Sequence, residues 1–291
     1  MAQVKERVDV YSLITNQIIE QLENNIVPWQ QPWKDNSIPQ NLITRKPYRG
    51  INLLLLGTLR YEQNLFLTYN QLKAIGGSVK KGEKGNLIIF WKPLVKTTKE
   101  HITDEPSLSF VLRYYKVFNV AQCENISPNL TEVTAEMPFC PISYCEQIIE
   151  EMVYCPEIVY KTQKAFYDPI SDYINMPKPE TFTSNEAFYS VLFHELIHST
   201  GHLKRLARDG FVTMARYGDE TYSLEELTAE IGSCFLSSLC GIGANNFTQS
   251  VSYINGWLQA LKNDKKLIIK AGGQAQKATD YILNVPQFEE E

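Results

Sequence analysis

The sequence predicts an α+β protein in two parts: an N-terminal α+β domain over residues 1–126, a linker over 127–141, and a mainly helical domain with a small sheet over 142–291. Three observations carry that reading. Helical and strand periodicities alternate in the first half, helical runs dominate the second, and charge is divided unequally between them. Up to Asn125 there are 16 Lys and Arg against 11 Asp and Glu, and beyond it 12 against 22, so a net charge of −5 conceals a basic half and an acidic one. The basic excess is densest from Arg45 to Lys99, where 11 cations face only Glu62 and Glu83, which suggests a polyanionic partner for this half.

Composition narrows the class further. An apolar content of 44% with 21% charged residues is that of a globular chain, and no apolar run approaches a membrane span. The N-terminus lacks the continuous apolar segment of a secretory signal, so a cytoplasmic location is expected. Six scattered cysteines form no C-x-x-C pair and are expected as free thiols.

Taken in order, Val8, Tyr11, Ile14, Ile18, Ile19 and Leu22 mark an amphipathic helix over 8–26. Pro28 and Pro32 then forbid regular helix and place Trp29 and Trp33 in a loop, where the simpler role for both is to staple that loop to the core. Arg45-Lys46-Pro47-Tyr48-Arg49-Gly50 precedes a helical run from Ile51. Phe66–Tyr69 reads as a strand, and Asn70 as the cap of a short helix ending at Gly76-Gly77. A basic turn with Lys80, Lys81 and Lys84 leads into a strand over 86–92, and a second strand runs over 108–120. Cations interleaved with Trp29, Trp33, Tyr48, Trp91, Tyr114 and Tyr115 meet the needs of single-stranded nucleic acid, phosphate neutralisation plus base stacking; core aromatics under a solvated basic face would give the same pattern. The expected contacts are Trp29, Trp33, Arg45, Lys46, Tyr48, Arg49, Lys80, Lys81, Lys84, Trp91 and Tyr114.

Beyond the Pro-rich linker, a helix is expected over 144–153, a strand over 157–160, and two short strands within 164–177. A strand placed there can border a cleft to which an extended peptide adds. Thr183 and Glu186 form a capping-box pattern for a helix running to Gly201, and this helix carries His194-Glu195-Leu196-Ile197-His198. Histidines four apart lie about 6 Å apart on one helix face, so both rings can reach one zinc ion, while Glu195 beside them can take a proton from a water that the ion acidifies. His202 would sit about 12 Å from His194 along a continued helix, too far for the same ion. The third ligand is expected from the later run Ser223 to Ser233, with Ser223 as its N-cap. Glu226 is assigned as ligand and Glu230 as the partner orienting a histidine, with the reverse assignment open; His202 is expected outside the ligand set, and Glu225 in solvent. His202, Arg216, Tyr217 and Tyr222 are candidates for stabilising an oxyanion. Helices over 253–262 and 267–283 close the chain, with Gly272-Gly273 as a point of interruption.

Two separated sets of residues carry a resemblance. The first is Val27-Pro28-Trp29, Pro32-Trp33, Lys46-Pro47-Tyr48-Arg49-Gly50-Ile51-Asn52, Gly76-Gly77, Lys81-Gly82-Glu83-Lys84-Gly85 and Val117-Phe118-Asn119-Val120; the second is His194 to His202, Glu225 to Glu230, and Leu261 to Lys265. Together they resemble the ArdC-type antirestriction proteins of conjugative plasmids and related mobile elements. The resemblance implies a single-stranded-DNA-binding domain followed by a zincin-like, gluzincin-type metallopeptidase domain, and protection of incoming DNA from host restriction. It leaves peptide hydrolysis open. Two other readings are a zinc peptidase whose basic half only recruits protein substrates, and a catalytically silent zinc-stabilised scaffold.

Overall fold

The computed structural model describes residues 9–30, 38–95, 108–131, 140–208, 220–242 and 251–286. Helix α1 (Val10–Glu23) begins where the Asp9 carboxylate accepts the Tyr11 N–H at 3.1 Å, and it ends before Asn25, whose φ of 57° leaves the helical region. A 3-10 turn (Pro28–Gln30) follows, then β1 (Gln40–Asn41), α2 (Ile51–Gly57), β2 (Leu65–Thr68), α3 (Tyr69–Ala74), β3 (Ser78–Val79), β4 (Asn86–Val95), β5 (Leu108–Asn119), β6 (Cys123–Glu124) and α4 (Pro128–Thr131). Thr68, not Asn70, caps α3: its hydroxyl accepts the Gln71 N–H while the Gln71 side chain reaches back to the Thr68 N–H. The reciprocal pair satisfies two donors that Asn70 at the cap would leave open.

The N-terminal sheet has the order β1-β2-β5-β4, with β1 parallel to β2 and the other pairs antiparallel. Strands β4 and β5 form a long ribbon from the Asn86↔Val117 pair to Val95↔Leu108, and β3 pairs with β6 beside it.

The second half runs through α5 (Pro141–Glu151), β7 (Glu157–Val159), β8 (Phe166–Asp168), β9 (Tyr173–Asn175), α6 (Asn185–Ser199), α7 (Glu220–Leu239), α8 (Val251–Asn263) and α9 (Leu267–Ile282). Its sheet has the order β7-β9-β8, with β8 on an edge and antiparallel to β9. Ser184, one residue past the expected cap, starts α6 by accepting the Ala187 N–H at 3.2 Å. Helix α7 starts before Ser223, which therefore lies within it and does not cap it.

One core joins the two halves. Ile14, Ile18, Trp29, Leu54, Leu55, Ile89 and Leu112 from the first pack with Leu227, Ile231, Phe235, Trp257, Leu261 and Ile268 from the second. A second core gathers α5, the small sheet, α6 and the far sides of α7 and α9, through Ile148, Ile174, Phe193, Leu196, Leu236 and Ile282. Helices α7 and α9 thus serve both cores, and burial on both sides fixes α7 against α6. Gly232 makes the close approach possible, since a Cβ there would stand 2.6 Å from the Ile197 side chain.

Helix α9 passes through Gly272-Gly273 without the interruption expected. Gly272 is where α2 crosses, and a Cβ there would lie 3.1 Å from the Ile51 backbone nitrogen. Beside the crossing, the Gly50 N–H donates to Gln276 Oε1 at 2.8 Å and Arg49 forms an ion pair with Asp280. Gly272→Val should therefore cost about 1–3 kcal/mol by overpacking the seam. Gly273→Ala, at an exposed position with open space around it, should gain about 1 kcal/mol of helix propensity. Urea melts of both variants check the pair, and the account of the seam is wrong if Gly272→Val is as stable as the parent.

Candidate metal centre and the basic-aromatic ribbon

Helix α6 buries apolar residues around most of its circumference, and its two histidines emerge on the side facing α7. Their Nε2 atoms lie 3.1 Å apart. Glu226 of α7 closes a triangle, with Oε2 at 3.7 Å from His194 Nε2 and Oε1 at 3.5 Å from His198 Nε2. Bonds of about 2 Å to a common tetrahedral ion place ligand atoms about 3.3 Å apart, so the three side chains fit one metal. Among the described residues, this is the one group of three His, Cys, Asp or Glu side chains with ligand atoms all within 4.8 Å of one another.

Electrostatics point the same way. Burial opposes protonation of His194, but the Glu226 carboxylate as hydrogen-bond acceptor and the charges of Glu230, Glu195 and Glu226 outweigh it and raise its pKa to about 9. Burial likewise works against ionising Glu226, yet the histidines beside it lower its pKa. Several carboxylates thus converge on a site that favours positive charge. Glu195 is itself buried, and it makes no hydrogen bond or ion pair among the described residues. Its charge acts on His194.

Glu225, expected in solvent, is the residue that orients a histidine: its Oε1 lies 3.1 Å from His198 Nδ1. Neighbouring positions on α7 reach opposite edges of one imidazole, Glu225 at Nδ1 and Glu226 at Nε2. Arg208 grips Glu225 with both Nε and Nη2, and Nη2 also donates to the Ile197 carbonyl at 2.9 Å. Burial would raise the Glu225 pKa, but His198 and Arg208 hold it below the usual carboxylate range. Helix spacing alone could not reveal this, because it does not fix the rotation of α7 against α6.

Glu230 makes no hydrogen bond to either histidine; its Oε1 accepts the Tyr253 hydroxyl at 2.6 Å. His202 lies in the turn after α6, because the helix ends at Ser199 and the backbone folds back. There its Nδ1 accepts the Lys204 N–H at 3.2 Å and stands 3.8 Å from Asp172, within a clamp that Arg205 forms with Asp172, Tyr167, Ser199 and Tyr154. That clamp fixes the exit of α6 and accounts for His202 without the metal site. Arg216 and Tyr217 lie outside the described residues, as does the Tyr222 side chain.

The residues expected to meet nucleic acid separate into groups. Trp29 is buried to 1% exposure and packs edge-on against Trp257, so it is a core residue and not a stacking platform. Tyr48 is half-buried against Phe66, and Arg49 is engaged by Asp280 across the seam between the halves. Trp33 lies outside the described residues. Arg45, Lys46, Lys80, Lys81 and Lys84 are exposed, with Arg45 and Lys80 also donating to the carbonyls of Leu130 and Ala121.

On the β4–β5 ribbon, Trp91 and Tyr114 are 45% and 40% exposed, and their face also carries the buried Ile89 and Leu112. The opposite face presents Tyr115, named among the interleaved aromatics, stacked at 4.4 Å on Phe90, which the sequence did not single out, with Arg113 paired to Phe90 and Lys92 adjoining. Strand alternation could have exposed this grouping, because Phe90, Lys92, Arg113 and Tyr115 share one side of a two-stranded ribbon.

Comparison with known proteins places this architecture. Residues 8–118 match the family model for the N-terminal domain of anti-restriction factor ArdC, and residues 145–274 match that for a zincin-like metallopeptidase. An uncharacterised protein, y4eC, from Sinorhizobium fredii is 31% identical over 94% of this chain and 91% of its own length. The Escherichia coli DNA primases TraC are 30% and 32% identical over nearly the whole chain, which spans only 20% and 28% of their length. Crystal structures of antirestriction ArdC from plasmid R388 are similar throughout. The metal-free form gives a TM-score of 0.77 at 33% identity, covering 95% of this chain and 97% of that one. The Mn(II)-bound form gives 0.72 at 34% identity, covering 97% and 100%. The chain belongs to the ArdC-type antirestriction family, in which an ArdC N-terminal domain precedes a zincin-like metallopeptidase domain.

Proposed function

We propose that this protein is an antirestriction factor of a mobile genetic element that binds single-stranded DNA and holds one zinc ion at His194, His198 and Glu226, with Glu195 as general base for peptide hydrolysis. The observation that carries the reading is the convergence of His194, His198 and Glu226, with closest approaches of 3.1–3.7 Å, beside a Glu195 carboxylate that no other described residue engages. Two imidazoles and one carboxylate suit zinc, and the Mn(II)-bound relative indicates that a divalent ion belongs in such a fold.

When bound, the ion would supply Lewis-acid polarisation of a peptide carbonyl and of the attacking water. Glu195 would accept the water's proton and return it to the leaving amine nitrogen. Glu225 accepts the proton on His198 Nδ1, which leaves the Nε2 lone pair turned toward the metal position, and Arg208 keeps Glu225 from rotating away. Glu230 adds negative charge next to His194. Strand β8, at the edge of its sheet and packed beside α6, would offer backbone groups to which an extended protein or peptide substrate can pair.

DNA binding is assigned to the ribbon. Tyr115 and its stacked neighbour Phe90 offer an aromatic surface, and Arg113, Lys92 and the exposed lysines of the preceding turn neutralise phosphates. This differs from the contact set expected from sequence, because Trp29, Tyr48 and Arg49 are committed to the core and the seam.

Two outcomes follow. Glu195→Gln should retain the metal and lower metal-dependent cleavage of a peptide library by at least about 100-fold; undiminished cleavage would remove Glu195 from the chemistry. In fluorescence titrations with a labelled single-stranded oligonucleotide, Tyr115→Ala should weaken binding about tenfold, and Arg113→Ala should reduce the slope of log K against log salt by about 0.7. Absence of binding by the parent protein even at low salt would end the DNA assignment.

A further inference from the structure

The basic stretch from Arg45 to Lys99 sets two carboxylates among its 11 cations, and the fold accounts for only one of them. Glu83, inside the lysine turn, accepts a side-chain N–H of Gln122 at 2.8 Å. Glu62 is exposed on the segment that leads into β2, and it makes no hydrogen bond or ion pair among the described residues. An unpaired carboxylate works against a surface that attracts a polyanion, unless it reads something on that polyanion. Glu62 lines a cavity of about 430 Å³, a size suited to a small ligand or a single extruded base. Its other walls include Val120 and Ala121 of the 3-10 turn after β5 (Val120–Gln122), Asn125 and Ile126, and Thr131 at the end of α4. Val120, Ala121 and Ile126 offer apolar surface to the faces of a ring, while the Glu62 carboxylate and the Asn125 carboxamide offer hydrogen bonds to its edge.

The segment that walls the cavity also holds the lysine turn. Gln122 is 4% exposed, and its side chain accepts the Asn119 N–H and an Asn86 side-chain N–H at 2.9 Å each. It donates to Glu83 and, at 2.9 Å, to the Lys84 carbonyl, while its own carbonyl accepts the Lys80 N–H at 2.9 Å. Lys80 Nζ donates to the carbonyl of Ala121 at 2.8 Å, and Arg45 donates to the carbonyl of Leu130, next to Thr131. Cations thus stand beside two walls of the cavity, with Lys81 and Lys84 in the same turn as Lys80. So many cations suit the successive phosphates of a strand better than the single phosphate of a free nucleotide.

We propose that this cavity takes one guanine base of a bound single strand, with Glu62 as the residue that selects it. The proposal rests on the DNA-binding reading given above. An ionised carboxylate only accepts hydrogen bonds, through two oxygens. Guanine presents N1–H and an N2 amino hydrogen side by side, a pair that matches those oxygens, whereas thymine presents the single N3–H. The Asn125 amide can donate to guanine O6, which adjoins the same edge.

The test is a set of fluorescence-anisotropy titrations of the full chain, at one salt concentration, with three labelled oligonucleotides of equal length. One contains thymidine only, one alternates thymidine with guanine, and one alternates thymidine with hypoxanthine, which lacks the N2 amino group. The parent should bind the guanine strand about tenfold more tightly than the thymidine strand, with most of that preference lost for hypoxanthine. Hypoxanthine stacks as a purine does, so its loss separates edge recognition from stacking on the ribbon. Glu62→Gln should bring the guanine and thymidine strands to within about twofold of each other. Its affinity for thymidine should stay the same or rise, because a negative charge has been removed. Ala121→Leu, which fills the cavity from another wall, should also abolish the preference and leave thymidine binding in place. If Ala121→Leu fails to fold, by its circular dichroism, Glu62→Gln decides. Equal binding of the guanine and thymidine strands by the parent, equal binding of the guanine and hypoxanthine strands, or a preference that survives Glu62→Gln overturns the proposal and leaves DNA binding intact. A parent protein that binds none of the three strands overturns both.

Discussion

Two imidazole nitrogens facing each other at 3.1 Å are a constraint around which the rest of the second half is arranged. Both lone pairs cannot point into the gap unless a proton or a cation sits between them. Glu226, Glu195 and Glu230 surround the pair with negative charge, so the environment favours the cation. Holding that many carboxylates near each other in a partly buried place is costly unless something compensates. The protein meets part of the cost with Arg208 against Glu225, and a divalent ion would meet more of it.

Such a site needs α6 and α7 held in a single rotation. Gly232 lets the helices approach closely, and Arg205 pins the exit of α6 through bonds to two backbone carbonyls, a tyrosine and Asp172. Helix α7 is then clasped from its other side by the core it shares with α1, α2 and the β4–β5 ribbon. The ribbon presents Tyr115 and Arg113 outward while Ile89 and Leu112, on its opposite face, belong to that core. The exposed aromatic and cationic face of the ribbon and the helix that carries Glu225 and Glu226 therefore rest on the same packed layer.

Much of this was legible in the sequence, and the reasons for the remainder are specific. His194, Glu195 and His198 were readable because the four-residue helical repeat fixes their relation locally, and Glu226 because a third ligand was still required. Glu225 was misjudged since the spacing along α7 carries no information about its phase against α6. Arg49 read as a free cation, but its partner Asp280 lies 231 positions away. For Trp29 the core staple was the simpler reading and a stacking role stood beside it, and its packing on Trp257 decides for the staple. The long α1 and the ribbon strands followed from periodicity, whereas caps at Thr68 and Ser184 depended on side-chain hydrogen bonds that the pattern located to within one or two residues.

The central claim is that His194, His198 and Glu226 hold one divalent ion. Elemental analysis of the purified protein after dialysis against a trace of zinc tests it most directly, with His194→Ala measured alongside. The account predicts one zinc per chain in the parent protein and nearly none in His194→Ala. A parent chain without stoichiometric metal, or a variant that keeps it, would contradict the account.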